Sequence, residues 1–185
     1  MAVARRKAVQ ATNAGHGDGR PDALALLAES HNATAKLSRE FERRRKAADT
    51  VEKGKLALRI CRELDIQAAL KREVFYPAAL AVLDDDGRRM VDRLLVEHDA
   101  IRRLIVKVRN MAADEPTFDA TLEVLADQAG RSMEREEAEL FPELRHSRLD
   151  LQGVGERMAS RRTQLSTAPA DRSTIRRARK VLGGN

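Results

Sequence analysis

Six polar residues stand at positions where they could do chemistry together: His31, Gln67, Lys71, His98, Ser132 and Glu136. Gln67 and Lys71 are four residues apart, as are Ser132 and Glu136, so each pair lies one turn apart on the same helix face. A histidine and a glutamate at that spacing can grip one metal ion from a single helix. A lysine at the same place brings a cation of its own. The two pairs belong to two copies of one motif. Arg131 to Leu144 reads R-S-M-E-R-E-E-A-E-L-F-P-E-L, and Gln67 to Leu80 reads Q-A-A-L-K-R-E-V-F-Y-P-A-A-L. Aligning Tyr76-Pro77 with Phe141-Pro142, 65 residues on, sets Gln67 against Ser132 and Lys71 against Glu136. Upstream of the copies, His31 and His98 sit in apolar helical contexts 67 residues apart. The chain reads as a duplicated helical hairpin.

The elements that must position these residues follow from composition and periodicity. A chain of 185 residues fits one domain with tails, and its dominance by Ala, Leu, Arg and Glu, with four Phe, one Tyr and no Trp, favours helix over sheet. The fold class is all-α. Helix 1 is expected from Asp22 to Ala48, with Leu24, Leu27, His31 and Phe41 on one face. Helix 2 is expected from an N-cap at Asp49-Thr50 to Leu83, with a kink at Pro77. Asp84 to Gly87 reads as a turn. Helix 3 is expected from Arg88 to Ala112, with His98 central on its apolar side. Helix 4 is expected to carry Pro116 in its first turn and the stripe Phe118, Leu122, Leu125, Ala129, Ser132, Glu136 and Leu140. A short helix is expected over 150–165. Four long helices with short loops imply an up-down-up-down bundle, in which the helix middles share one level. The six polar residues therefore converge in a central layer. Burying them costs stability unless they bond to one another or to an ion.

In this pattern the chain resembles the hemerythrin-like HHE cation-binding domains. The resemblance spans about residues 22–160 and includes the E-x-x-F-Y-P and E-x-x-L-F-P endings and the following L-D-L-Q-G-V-G-E-R-M. It implies a bundle in which helix 1 gives a His, helices 2 and 4 each give His-x-x-x-Glu and helix 3 gives at least one His. Two carboxylate-bridged irons then bind dioxygen or sense oxygen, nitric oxide or iron. His31, His98 and Glu136 match the ligand positions. Gln67 and Ser132 stand where His is expected, and Lys71 stands where a bridging Glu is expected. Leu94 and Arg102 occupy the places of a second helix 3 His.

Gln and Ser are poor iron ligands inside a bundle, and a protonated lysine has no lone pair. The expectation is a degenerate di-iron site with no metal cofactor. Lys71 pairs there with Glu136, while Gln67, Ser132, His31 and His98 complete a hydrogen-bonded cluster. The protein is then a non-enzymatic binding or structural protein. The alternative keeps iron in a reduced site at His31, His98 and Glu136 that senses or carries oxygen or nitric oxide. Glu134, Glu137 and Glu139 read as a solvated face, and Cys61 as partly buried.

The net charge of +6 comes from the ends: residues 1–20 sum to +3, residues 156–185 to +6 and residues 21–155 to -3. Residues 1–20 and 166–185 read as weakly ordered basic tails around a bundle over 21–165. Such tails read first as solvated, flexible ends, with contact to nucleic acid, anionic lipid or an acidic partner by sequence-independent attraction as the alternative. One cysteine excludes an intramolecular disulfide, and neither a membrane span nor a signal-peptide core is visible, which fits a cytoplasmic protein of bacterial type. A phosphate-binding glycine loop, a catalytic triad and a cysteine zinc cluster are missing, which weighs against conventional enzyme classes.

Overall fold

A computed structural model of the chain describes residues 21–47 and 49–167, and all regular structure in them is helical. Both basic tails fall outside these residues except for Ser166 and Thr167, which extend the last helix. Helix α1 is Ala23–Arg44. Helix α2 begins as Thr50–Leu70, widens through a π-helical turn at Lys71–Phe75 and ends as Tyr76–Leu80. Helix α3 is Asp85–Asn110. Helix α4 repeats the plan of α2, with Phe118–Arg135, a π-helical turn at Glu136–Leu140 and Phe141–His146. Helix α5, Leu151–Thr167, packs on α1 and α2.

Aspartates set four of the five starts. Asp22, Asp49, Asp84 and Asp150 each accept a hydrogen bond from the backbone N–H three residues on, satisfying a donor that the first helical turn cannot pair. This corrects the expected turn at Asp84 to Gly87: Asp84 is the cap, and Asp85, Asp86 and Gly87 are already the first turn of α3. Pro116 precedes α4 instead of opening it, because Thr117 is the N-cap. Helix α1 ends at Arg44, four residues short of Ala48, and a turn follows over 45–47.

The two prolines explain the two π turns. Pro77 and Pro142 cannot donate to the carbonyl four residues back, and their rings crowd it. The chain answers by closing a wider ring, from the Tyr76 N–H to the Lys71 carbonyl and from the Phe141 N–H to the Glu136 carbonyl. At Pro77, where a kink is expected, the helix carries this π turn, and the same turn recurs at Pro142. Both residues before each proline, Phe75 with Tyr76 and Leu140 with Phe141, are buried.

Two apolar clusters make the core. One gathers Phe41, Ile60, Leu64, Ile105, Phe118 and Leu125, and the other Leu27, Leu70, Phe75, Leu94, Leu140 and Phe141. The polar stripe residues fall between them, since each helix passes from one cluster to the other through its polar positions. Gly155 lets α5 close on the start of α1: a Cβ there would lie 2.9 Å from the Ala23 nitrogen and 3.0 Å from the Pro21 carbonyl oxygen. Cys61, expected to be partly buried, is fully buried, and burial pushes its thiol up to about 12. No described helix is long and apolar enough to cross a membrane.

Candidate functional site: a charged layer between two apolar clusters

Glu136 is the hub. Its carboxylate has no solvent exposure and is the meeting point of three helices. The first residue of the α2 π turn, Lys71, places its Nζ 2.5 Å from Glu136 Oε2. Tyr76, at the end of the same turn, donates its hydroxyl hydrogen to Glu136 Oε1. His31 from α1 brings Nε2 to 3.3 Å of Oε2, poorly aligned for a hydrogen bond, and that nitrogen is left without a partner. His98 from α3 sets Nε2 3.5 Å from the Tyr76 hydroxyl and 3.9 Å from Glu136 Oε1. Its ring stacks on Tyr76 at 5.6 Å between centroids, as His31 stacks on Phe141 at 6.1 Å.

Electrostatics follow from this packing. Burial alone would raise the Glu136 carboxyl, but the Lys71 ammonium, helped by His31 and His98, outweighs it and holds the group at about 2. Burial and the nearby Lys71 cation lower His98 to about 4, so its ring is neutral at neutral pH. Burial and the adjacent carboxylate push the Tyr76 hydroxyl well above its usual range, so it remains a donor. The layer carries one buried cation against one buried anion.

Gln67 and Ser132 do not join this cluster, contrary to expectation. The Gln67 amide turns to α1, donating from Nε2 to the Ser30 carbonyl at 3.0 Å and to Thr34 Oγ1 at 2.6 Å. Its Oε1 stays buried without a partner. The short Ser132 side chain finds Glu97 on α3 instead, Oγ to Oε2 at 3.0 Å. A cavity of about 410 Å3 lies beside the layer, with Gln67, Lys71, His98 and Ser132 in its wall. Among the described residues, no three His, Cys, Asp or Glu side chains are grouped to hold a metal ion.

Several residues of the site were missed in the sequence. Tyr76 carried a signal, being the chain's one tyrosine and the only hydroxyl difference between the two aromatic-Pro pairs. Thr34, one turn below Ser30 and just past His31, carried a weaker one. Glu137 is exposed, as expected of that face, yet its Oε1 also takes His31 Nδ1 at 2.7 Å and fixes the ring. Above His31, Ser30 donates to Glu63 Oε1 at 2.9 Å, and Arg162 from α5 reaches the same oxygen at 2.6 Å. Nothing in helical periodicity points to Arg162, which meets Glu63 only through tertiary packing.

A bundle of two related hairpins, with its polar side chains drawn from facing helices, belongs to the class of helical proteins that build sites inside the bundle core. The hemerythrin HHE cation binding domain matches residues 22–144, about two thirds of the chain, and the chain belongs to that family. The crystal structure of a hemerythrin HHE cation binding domain-containing protein from Mycobacterium kansasii has the same fold. Its TM-score is 0.67 at 20% identity, over 85% of this chain and 99% of that one. No curated protein matches the chain.

Proposed function

We propose that this chain is a hemerythrin-fold protein whose di-iron centre has been replaced by a built-in cation, and that it works as a non-enzymatic binding or structural protein. The observation that carries this reading is the buried Lys71–Glu136 contact of 2.5 Å, with Tyr76 on the other carboxylate oxygen. The residues present do not fit two bridged irons. Both Glu136 oxygens are engaged by hydrogen-bond donors, Gln67 and Ser132 face neighbouring side chains, and an ammonium stands where a second carboxylate would be needed. A metal there would meet a positive charge at close range with nothing to displace it.

A second reading keeps a single iron at His31, His98 and Glu136 and uses it to sense or carry oxygen or nitric oxide. The partnerless His31 Nε2 beside Glu136 favours it. Elemental analysis of protein expressed with iron and purified without chelator separates the two. The first reading expects well under one metal per chain, and close to two irons in a Lys71→Glu, Gln67→His, Ser132→His triple variant. Stoichiometric metal in the native chain, with a visible charge-transfer band, would overturn it in favour of the second.

A further inference from the structure

One hairpin of the duplicated pair is covered on its outer side and the other is bare. Helix α5 packs on α1 and α2, and the matching face of α3 and α4 has no such helix among the described residues. The repeat gives the correspondence residue by residue. A step of 67 carries His31 to His98 and, with it, the buried Leu24, Leu27 and Phe41 to the buried Val91, Leu94 and Val108. A step of 65 carries α2 to α4. On the first hairpin α5 sets Val154 and Met158, both buried, in the apolar cluster of Leu24, Leu27 and Leu70. Its cations meet acids there, Arg161 with Glu73 and Arg162 with Glu63.

The second face reverses those charges. Arg93, Arg131 and Arg135 stand where the first hairpin has Leu26, Ile66 and Leu70, and Gln128 and Ala138 stand where it has Glu63 and Glu73. Glu97, the counterpart of Ser30, is already held by Arg135 and by Ser132. Arg93 and Arg131 are exposed and make no ion pair among the described residues. On the same stripes, at helical spacing, lie Val96, which is 69% exposed, and Ala100 on α3, with Val124 and Ala138 on α4. A depression of about 270 Å3 opens between the stripes, lined by Ala100, Gln128 and Arg131.

This composition selects an occupant. The basic ends of the chain would be repelled by Arg93 and Arg131, and a second copy applying the same face would set like charges against one another. A nucleic acid would pair with the arginines and leave the valines wet. An amphipathic helix with acidic flanks satisfies both parts of the face. We propose that the outer face of α3 and α4 docks an acidic amphipathic helix of a partner protein, seated as α5 is seated on α1 and α2, with carboxylates at Arg93 and Arg131 and its apolar side on Val96, Ala100 and Val124. Both arginines lie outside the charged layer, so the assignment is independent of whether that layer holds metal.

The probe is a labelled peptide of α5, Asp150 to Thr167, carrying Ala159→Glu, Arg161→Glu and Arg162→Glu. A staple between Glu156 and Ser160, on its exposed side, keeps so short a helix formed. Titrated with the full chain and followed by fluorescence anisotropy, it should bind saturably at one site and more weakly as salt rises. Arg93→Glu with Arg131→Glu should weaken it roughly tenfold or more, with helical circular dichroism retained. Arg59→Glu, at an exposed position of α2, should leave binding unchanged. The basic α5 peptide without the three substitutions, stapled in the same way, should ignore the native chain and bind the doubly reversed one, because the charges have been exchanged. No saturable binding of the acidic peptide below millimolar concentration, or equal binding of both peptides to the native chain, would overturn the proposal. So would a DNA duplex that binds the native chain as tightly as the acidic peptide and is lost with Arg93→Glu and Arg131→Glu, which would give the face to nucleic acid. A native dimer dispersed by the same two changes would give it to a second copy and overturn the proposal equally.

Discussion

The two hairpins are built to one plan and filled with opposite charges. In each, a helix passes from one apolar cluster toward the other, widens into a π turn five residues long and buries the two residues before a proline. The first residue of that turn points into the layer. In α2 it is Lys71 and in α4 it is Glu136. A duplicated scaffold therefore presents two equivalent slots across the bundle axis, and the pair that occupies them is self-neutralising. The aromatic positions differ in the same complementary way: Tyr76 gives a hydroxyl to the carboxylate, while Phe141 contributes only a face on which His31 stacks. Carboxylates in both slots would repel unless a cation lay between them. A lysine in one slot removes that requirement.

Breaking the complementarity on one side should have the largest effect. Lys71→Ala leaves the Glu136 carboxylate buried without its cation, and a loss of about 3–5 kcal/mol is expected in denaturant unfolding. Lys36→Ala, at an exposed position of α1, should stay within about 0.5 kcal/mol. Replacing both partners by apolar side chains, Lys71→Met with Glu136→Leu, should recover most of the loss, because the cost lies in the orphaned charge. Equal small effects for Lys71→Ala and Lys36→Ala would mean that water reaches the pair.

The plan was legible in the sequence because a period of 3.6 residues is hard to hide in long helices. His31, His98, Gln67, Lys71, Ser132 and Glu136 interrupt apolar stripes, and one face can meet only one core. Matching the aromatic-Pro pairs then set Lys71 opposite Glu136. Periodicity says nothing about where a side chain turns within its layer. Gln67 and Ser132 were placed at the right level with the wrong partners, because Thr34 and Glu97 are neighbours only after the helices pack. The boundaries missed at Asp84 and Pro116 are local: an aspartate followed by two more can cap or turn, and the deciding hydrogen bond to Gly87 is invisible until the backbone is built.

His98 and Glu136 offer a second way to sharpen the comparison, through acid. His98 is lowered from 6.5 to about 4 by burial and the Lys71 cation, so the folded chain binds fewer protons than the unfolded one between those values. Its contribution is fully present above pH 6.5 and is lost as pH falls toward 4, up to on the order of 3 kcal/mol. Glu136, lowered from 4.5 to about 2, is lost over the next interval down. Thermal unfolding followed from pH 8 to pH 3 should therefore fall in two successive stages. His98→Gln should flatten the upper stage and keep the lower one, with its acid edge moved slightly to higher pH because His98 helps hold Glu136 low. A His98→Gln profile parallel to the native one would place the acid sensitivity elsewhere.

Making the two halves more alike tests the smallest difference between them. Tyr76→Phe gives α2 the aromatic of α4 and removes one hydrogen bond to a charged group, a loss of about 1.5–3 kcal/mol. The ring and its stacking on His98 remain, so the change isolates the hydroxyl. Without that donor Glu136 Oε1 keeps only His98 Nε2 at 3.9 Å, too far for a hydrogen bond. The carboxylate then loses stabilisation of its charged form, and the acid stage assigned to Glu136 should move to higher pH. A Tyr76→Phe variant with native stability and an unmoved acid stage would assign the hub to Lys71 and Glu136 alone, with Tyr76 serving the layer only as an aromatic face.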